Sequence, residues 1–442
     1  MRSLRPLIAL APLAFTACAG LMASMPRRGG DRALAPRTAL QRSLDSLTSQ
    51  PQFRNAHWGV LVVNPATGDT LFSRNAGKLF MPASNMKIIT GAVSLALLGA
   101  DYRYRTTFVT SGTVQDSVLT GDLVVIGRGD PSLSDRMRGN AAQAMDSIAD
   151  SLLVRGIRRV TGQVARMGNA FPDSTRGYGW EWDDLREYYG AGVDELTFNE
   201  SMAPTTLRAD STRDSLYSGP APDPARAYLA ALNDALKRRG VIVDGGVADT
   251  IFTDAPLLDT LFVQLSPPLR DILPMMMKPS QNQMAELLFK AVGLERGGMG
   301  TADTARRIVG KQLLAWGAEA DGFNIRDGSG LSRHNLLSPE TVVRTLAGIQ
   351  RDTAFAAFYN SMPIAGVDGT VRNRMKGTLA EGNVRAKTGS ISFARSLSGY
   401  VTTADGERLI FSVLANNWTT ASTEVTGIAD QVAALLAGYR LK

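Results

Sequence analysis

The chain has 442 residues, 44% hydrophobic and 20% charged, the balance of an ordinary globular protein with room for two or three domains. The net charge of +7 suggests a nucleic-acid partner, but residues 1–37 hold Arg2, Arg5, Arg27, Arg28, Arg32 and Arg37 against Asp31 alone, a surplus of five that leaves about +2 elsewhere. No basic run follows, so no nucleic-acid partner is expected, and two histidines with one cysteine give little material for a metal site.

The N-terminus has the parts of an export signal, expected over residues 1–23. Arg2 and Arg5 precede the apolar run Leu7–Ala17, which ends in the small residues Cys18, Ala19 and Gly20. The run is short for a membrane span, and no later segment is long enough for one. The mature protein is therefore expected in the periplasm or another extracytoplasmic space, soluble or tethered at its start. Cys18 follows Phe15-Thr16-Ala17 in a pattern similar to a lipoprotein cleavage site, which makes a lipid on Cys18 the one expected route to a membrane. Residues 24–37 read as a solvated linker rich in Arg, Gly and Pro.

Thr38–Leu47 then reads as a short amphipathic helix. HWGVLVVNPATGDTLFSRNAG (57–77) reads as a hairpin turning at NPATGD. MPASNMKIITGAVSLALLGA (81–100) reads as a core helix bounded by proline and glycine. From about Tyr104 to Leu265 the texture is one of short strands and turns, with one amphipathic helix at 223–240. Helices return over 267–293, 301–316 and 339–350. Residues after Glu381 alternate as strands, with Leu409, Phe411, Val413 and Leu414 as core candidates, and a helix near 422–436 closes the chain. Strands at both ends with helices between predict an α+β fold. Its antiparallel sheet is drawn from 38–104 and 266–442 and flanked by helices, with a β-rich insert over 105–265.

Three short motifs stand in order along this layout: Ser84-x-x-Lys87, Ser280-Gln281-Asn282 and Lys387-Thr388-Gly389. Each has a bland reading by itself. Ser84 could cap its helix and Lys87 face solvent; Ser280 could be only a cap; Lys387-Thr388-Gly389 could be an ordinary strand. Together they match the S-x-x-K, S-D-N and K-T-G set of β-lactamases and penicillin-binding proteins. No other lysine has a serine three positions before it, and K-T-G occurs once. Burial disfavours the charged form of a lysine, and a serine one turn from a partly neutral amine is the pattern of an activated nucleophile.

With GDLVVIGRGDPSL (121–133), GWEWDD (179–184), DGSGLSR (327–333), MPIAGVDGTVRNR (362–374) and RAKTGSISFARSLSGYV (385–401), the chain resembles the D-alanyl-D-alanine carboxypeptidase/endopeptidase family. These are low-molecular-mass penicillin-binding proteins of class C, with a large insert after the first motif. The resemblance implies a serine peptidase that acts on peptidoglycan stem peptides, is inhibited covalently by β-lactams and needs no cofactor. It implies Ser84 as nucleophile, Lys87 as base with Lys387 as the cation lowering its pKa, and Ser280 as proton relay to the leaving amine. Asn282 would hold Lys87 and the substrate amide, and Lys387 and Thr388 the terminal carboxylate. Gly389 would leave room for the substrate backbone, and Ser390 would share the oxyanion with Ser84.

DGSGLSR is expected to border the site structurally, Trp180 and Trp182 to pack the insert, Asp130 to shape a turn, Met275–Met277 to lie in the core, and Gln281 to point away from the cleft. Where some relatives carry an acid in the insert, this chain has Met167 and Asn169. Carboxypeptidase and endopeptidase activities both remain open, beside a β-lactamase or esterase on the same fold and a silent cell-wall binding protein.

Overall fold

The computed structural model describes residues 39–208, 214–252 and 258–441. The expected export signal, Cys18 and linker lie outside the described residues.

The sheet that carries the site is antiparallel throughout, in the order Arg385–Ile391, Ala394–Thr402, Arg408–Asn416, His57–Val63, Thr70–Arg74. Both ends of the chain thus meet in one sheet, with Val60 opposite Val413. Strand alternation sorts the side chains. Val60 and Val62 are buried with the C-terminal helix Ser422–Gly438 and the first helix Ala39–Thr48, whereas Leu61 points into the opposite core. That opposite core is built on the helix Met86–Leu98, whose residues 86–95 are all buried. The helix Asn282–Gly297 packs against it.

Residues 105–265 contribute three further sheets, the smallest a pair of Met202–Arg208 with Asp214–Pro220 and two larger ones. One runs Val247–Phe252, Val164–Met167, Leu123–Ile126, Arg105–Thr110, Asp259–Leu265; the other is formed by four short strands between Thr113 and Val243. Their core includes the helix Pro224–Arg238 and a second helix, Ala141–Val154, which the strand-like texture of its flanks conceals in the sequence. Its Asn140 caps the start by accepting from Gln143 N.

The helical stretch expected over 267–293 is broken in two. Leu269–Met277 ends before Pro279, and Asn282–Gly297 begins after a turn in which Ser280 takes a positive φ of 65°. The break lifts Ser280 out of both helices and turns it toward the cleft. Gln281, not Ser280, is the N-cap, its side-chain oxygen accepting from Met284 N.

Candidate active site

The first motif lies on a tight helical turn, Ala83–Asn85, that runs directly into the Met86–Leu98 helix. Ala83 holds φ at 46°, a left-handed conformation costly for a residue with a Cβ, so the turn must be held from outside. Three contacts hold it. Ser396 Oγ donates to Pro82 O at 2.8 Å, and Asn85 Nδ2 donates to Lys387 O at 2.8 Å. The third is steric and depends on two glycines. A Cβ on Gly389 would lie 2.6 Å from Pro82 O and 3.0 Å from Ser84 N; one on Gly330 would lie 1.9 Å from Ala83 O. Glycine at 389 therefore lets the strand press on the nucleophile turn, a structural role beside the one expected toward substrate.

Lys87 is completely buried one turn below Ser84. Its Nζ is 2.9 Å from Ser84 Oγ, 2.6 Å from Asn282 Oδ1 and 2.8 Å from Ser329 O. Burial pushes its pKa down to about 7, against the opposing pull of Glu286 and then Asp327. Of the two causes open from the sequence, burial and a cation at Lys387, burial is the one that acts. The relation between the lysines runs the other way: Lys387 is held well below its ordinary range first by burial and then by Lys87.

The geometry sorts the protons of Lys87. A neutral amine has two N–H groups and one lone pair. Asn282 Oδ1 and Ser329 O can only accept, so they take both N–H groups, and the lone pair is left for the Ser84 hydroxyl.

Lys387 lies beneath the opposite wall, also fully buried, donating to Ser280 Oγ at 2.9 Å and to Thr388 O at 2.8 Å. It therefore stands behind Ser280, not on the cleft surface where a carboxylate would meet it. Thr388 Oγ1 faces outward and bonds Thr370 Oγ1 at 2.7 Å. Thr370 is fixed in turn by its amide on Lys278 O at 3.0 Å. The cleft itself is about 330 Å³ and includes Ser84, Ser280, Asn282, Thr370, Thr388 and Ser390 among its lining. Trio residues from three separate parts of the chain thus meet in one place.

The model of the D-Ala-D-Ala carboxypeptidase 3 (S13) family matches residues 40–218 and 220–439. A D-alanyl-D-alanine carboxypeptidase of Actinomadura sp. (strain R39) is 31% identical, over 91% of this chain and 85% of its own length. The chain belongs to the S13 family. It is by class a serine D-Ala-D-Ala carboxypeptidase/endopeptidase with the penicillin-binding-protein fold. Carboxypeptidase DacB of Haemophilus influenzae is 26% identical over 83% of this chain and 86% of its own. The crystal structure of penicillin-binding protein 4 (dacB) from that organism shares the fold, with a TM-score of 0.77 and 24% identity over 90% of this chain and 99% of that one.

In this S13 chain the 105–265 segment closes the cleft from one side. Asn282 Nδ2 donates to Tyr189 O at 2.9 Å, which takes one of its two N–H groups, and Asn282 itself lines the cleft. Gln283 Nε2 reaches Tyr188 O at 2.8 Å, and Glu181 forms an ion pair with Arg333 of the DGSGLSR loop. Trp180 Nε1 donates to Asp327 Oδ2 at 3.0 Å; Trp182, expected to pack, is 76% exposed. Asp130 accepts from Ser132 N within its turn. Met276 and Met277 are core, but Met275 is 37% exposed. Met167 is buried in a small apolar cluster, while Asn169 is exposed. Gln281 points away from the cleft as expected, to Glu200 and Gln283.

The sequence reading missed Ser329, Thr370 and Glu286. The first two contribute through loops whose shape no short motif announces. Glu286 had a signal: an acid four residues after Asn282 on a core helix, hence on the same face.

Proposed function

We propose that the chain hydrolyses the D-Ala–D-Ala end of peptidoglycan stem peptides through an acyl-enzyme on Ser84. The observation that carries this is the three-way setting of Lys87 Nζ, which leaves a neutral amine only one use for its lone pair.

In this reading Ser84 gives its proton to Lys87 as Oγ attacks the penultimate D-Ala carbonyl carbon. The developing oxyanion is received by the main-chain N–H groups of Ser84 and Ser390, each such donor supporting about 10²–10³ in rate. Ser280 accepts from Lys387, so its own O–H is directed to the leaving amine and is the last donor as the proton taken by Lys87 returns. The hydroxyls of Thr388 and Thr370 meet the terminal carboxylate, with Lys387 behind them holding Ser280 Oγ and Thr388 O. Water then attacks the ester, Lys87 again accepts a proton, and Ser84 is released. Residues 38–104 and 266–442 form the peptidase unit; 105–265 is an insert that walls the cleft. A β-lactam enters the same cycle and stops at the acyl stage. Residues 1–23 direct export to the periplasm, with Cys18 as the candidate lipid anchor.

The test is D-alanine release from a peptide ending in D-Ala–D-Ala, beside a Ser84→Ala control. Release that needs Ser84 supports the assignment; equal release from both proteins overturns it.

A further inference from the structure

Lys87 depends on two acceptors, and one of them is a main-chain carbonyl in a loop. Such an oxygen is only as well placed as the loop. The Gly328–Ser329 turn is gripped from both of the helices that meet beneath the cleft. From the Met86–Leu98 helix, Thr90 Oγ1 donates to Gly328 O at 2.7 Å. From the Asn282–Gly297 helix, Glu286 accepts from Ser329 N at 2.7 Å on one carboxylate oxygen and from Gly328 N at 3.1 Å on the other. Ser329 O is then presented to Lys87 Nζ.

Asn282 and Glu286 are four residues apart and share a helix face. The first touches the lysine directly; the second reaches it through the Ser329 peptide. We propose that Glu286 is a positioning residue of this peptidase, a two-oxygen clamp on the Gly328–Ser329 amides that fixes the second acceptor of Lys87 and so aims its lone pair at Ser84.

A buried carboxylate here is otherwise unfavourable. Glu286 is 4% exposed, and burial, then Asp327, raises its pKa to about 7. A core helix position would be more simply filled by an apolar residue. Asp327 does not substitute for it. That carboxylate is occupied by Gly330 N, Ser332 N, Asn335 Nδ2 and Trp180 Nε1, so it shapes the rest of the loop.

The other charged groups packed around the pair are accounted for. Lys290, one turn further along the helix, is ion-paired with Asp173. Arg326 sits over the Tyr178 ring. Lys387 faces Ser280. Glu286, Asp327, Lys290 and Arg326 also border a cavity of about 180 Å³ behind the cleft.

The inference rests on the assignment of Ser84 and Lys87 above. Its test compares Glu286→Gln, Glu286→Asp, Ser84→Ala and the parent. For each, the rate of benzylpenicillin acylation is followed by intact mass from mildly acid to mildly alkaline pH, with the thermal midpoint alongside. Glu286→Gln keeps the shape but turns an N–H toward Gly328 N and removes the charge. Its acylation slows by about 10- to 100-fold, and the acid limb moves to lower pH because the carboxylate no longer favours protonated Lys87. Glu286→Asp keeps the charge but withdraws it from the amides, so the rate falls while the limb stays close to that of the parent. A merely structural role would lower the midpoint and leave the limb where it is. Parent-like rates and limbs in both variants, with Ser84→Ala unlabelled, would overturn the clamp alone. Labelling of Ser84→Ala would overturn the nucleophile assignment and the clamp with it.

Discussion

The two walls of the cleft each hide a fully buried lysine, and they treat it differently. On the helix side Lys87 has two carboxylates in its surroundings, Glu286 and Asp327, which temper the effect of burial and leave its pKa at about 7. On the strand side Lys387 has no such counterweight: burial comes first, Lys87 second, and both push down. The same residue type is thus set as a base poised near neutrality on one wall and as a support for Ser280 and Thr388 on the other. Sequence identity of the two lysines says nothing of this; their neighbours decide it.

The contrast can be broken most strongly at its helix side. Lys87→Ala removes the base, and acylation should fall by about 10²–10⁴-fold in a mass-detected time course with the fold intact by circular dichroism. In the parent, acylation should rise with pH through about 7 and level above it, because only the neutral amine accepts the Ser84 proton; a rate independent of pH across that range would contradict the role. Gly389→Ala acts on the join between the walls. Its methyl would meet Pro82 O at 2.6 Å, displacing the nucleophile turn. Activity should drop by about 10²-fold, with a stability loss of about 1–3 kcal/mol in denaturant titration. On the strand side Thr388→Val should cost less, raising KM for a D-Ala–D-Ala peptide with little change in kcat, by about 0.5–1.5 kcal/mol of binding. Smallest is Trp180→Phe, which loses the indole bond to Asp327 and should lower stability by about 1 kcal/mol.

Much of the site was legible because its chemistry is written in short spacings. Ser84 and Lys87 share a helical face whatever the rest of the chain does, and Lys387-Thr388-Gly389 falls on a strand whose alternation is plain. The sheet was legible because hairpin and strand patterns occupy the two ends and little else there can pair. What escaped depends on contacts distant in sequence. Gly389 answers to Pro82 and Ser84 on the neighbouring turn, a closeness that no local spacing shows. Ser329 matters through a carbonyl, which any residue could supply. Ser280 reads as a helix cap until Pro279 and its positive φ set it outside the helix. That burial lowers the Lys87 pKa was legible from its core helix, but the opposing carboxylates of Glu286 and Asp327 were not.

The most direct test of the central claim, that Ser84 is an activated nucleophile, is the intact mass of the purified protein after mixing with benzylpenicillin, beside Ser84→Ala. The predicted result is a lasting adduct of one penicillin on the parent and none on the variant. An adduct on both proteins, or none on either with the drug left intact, would contradict it.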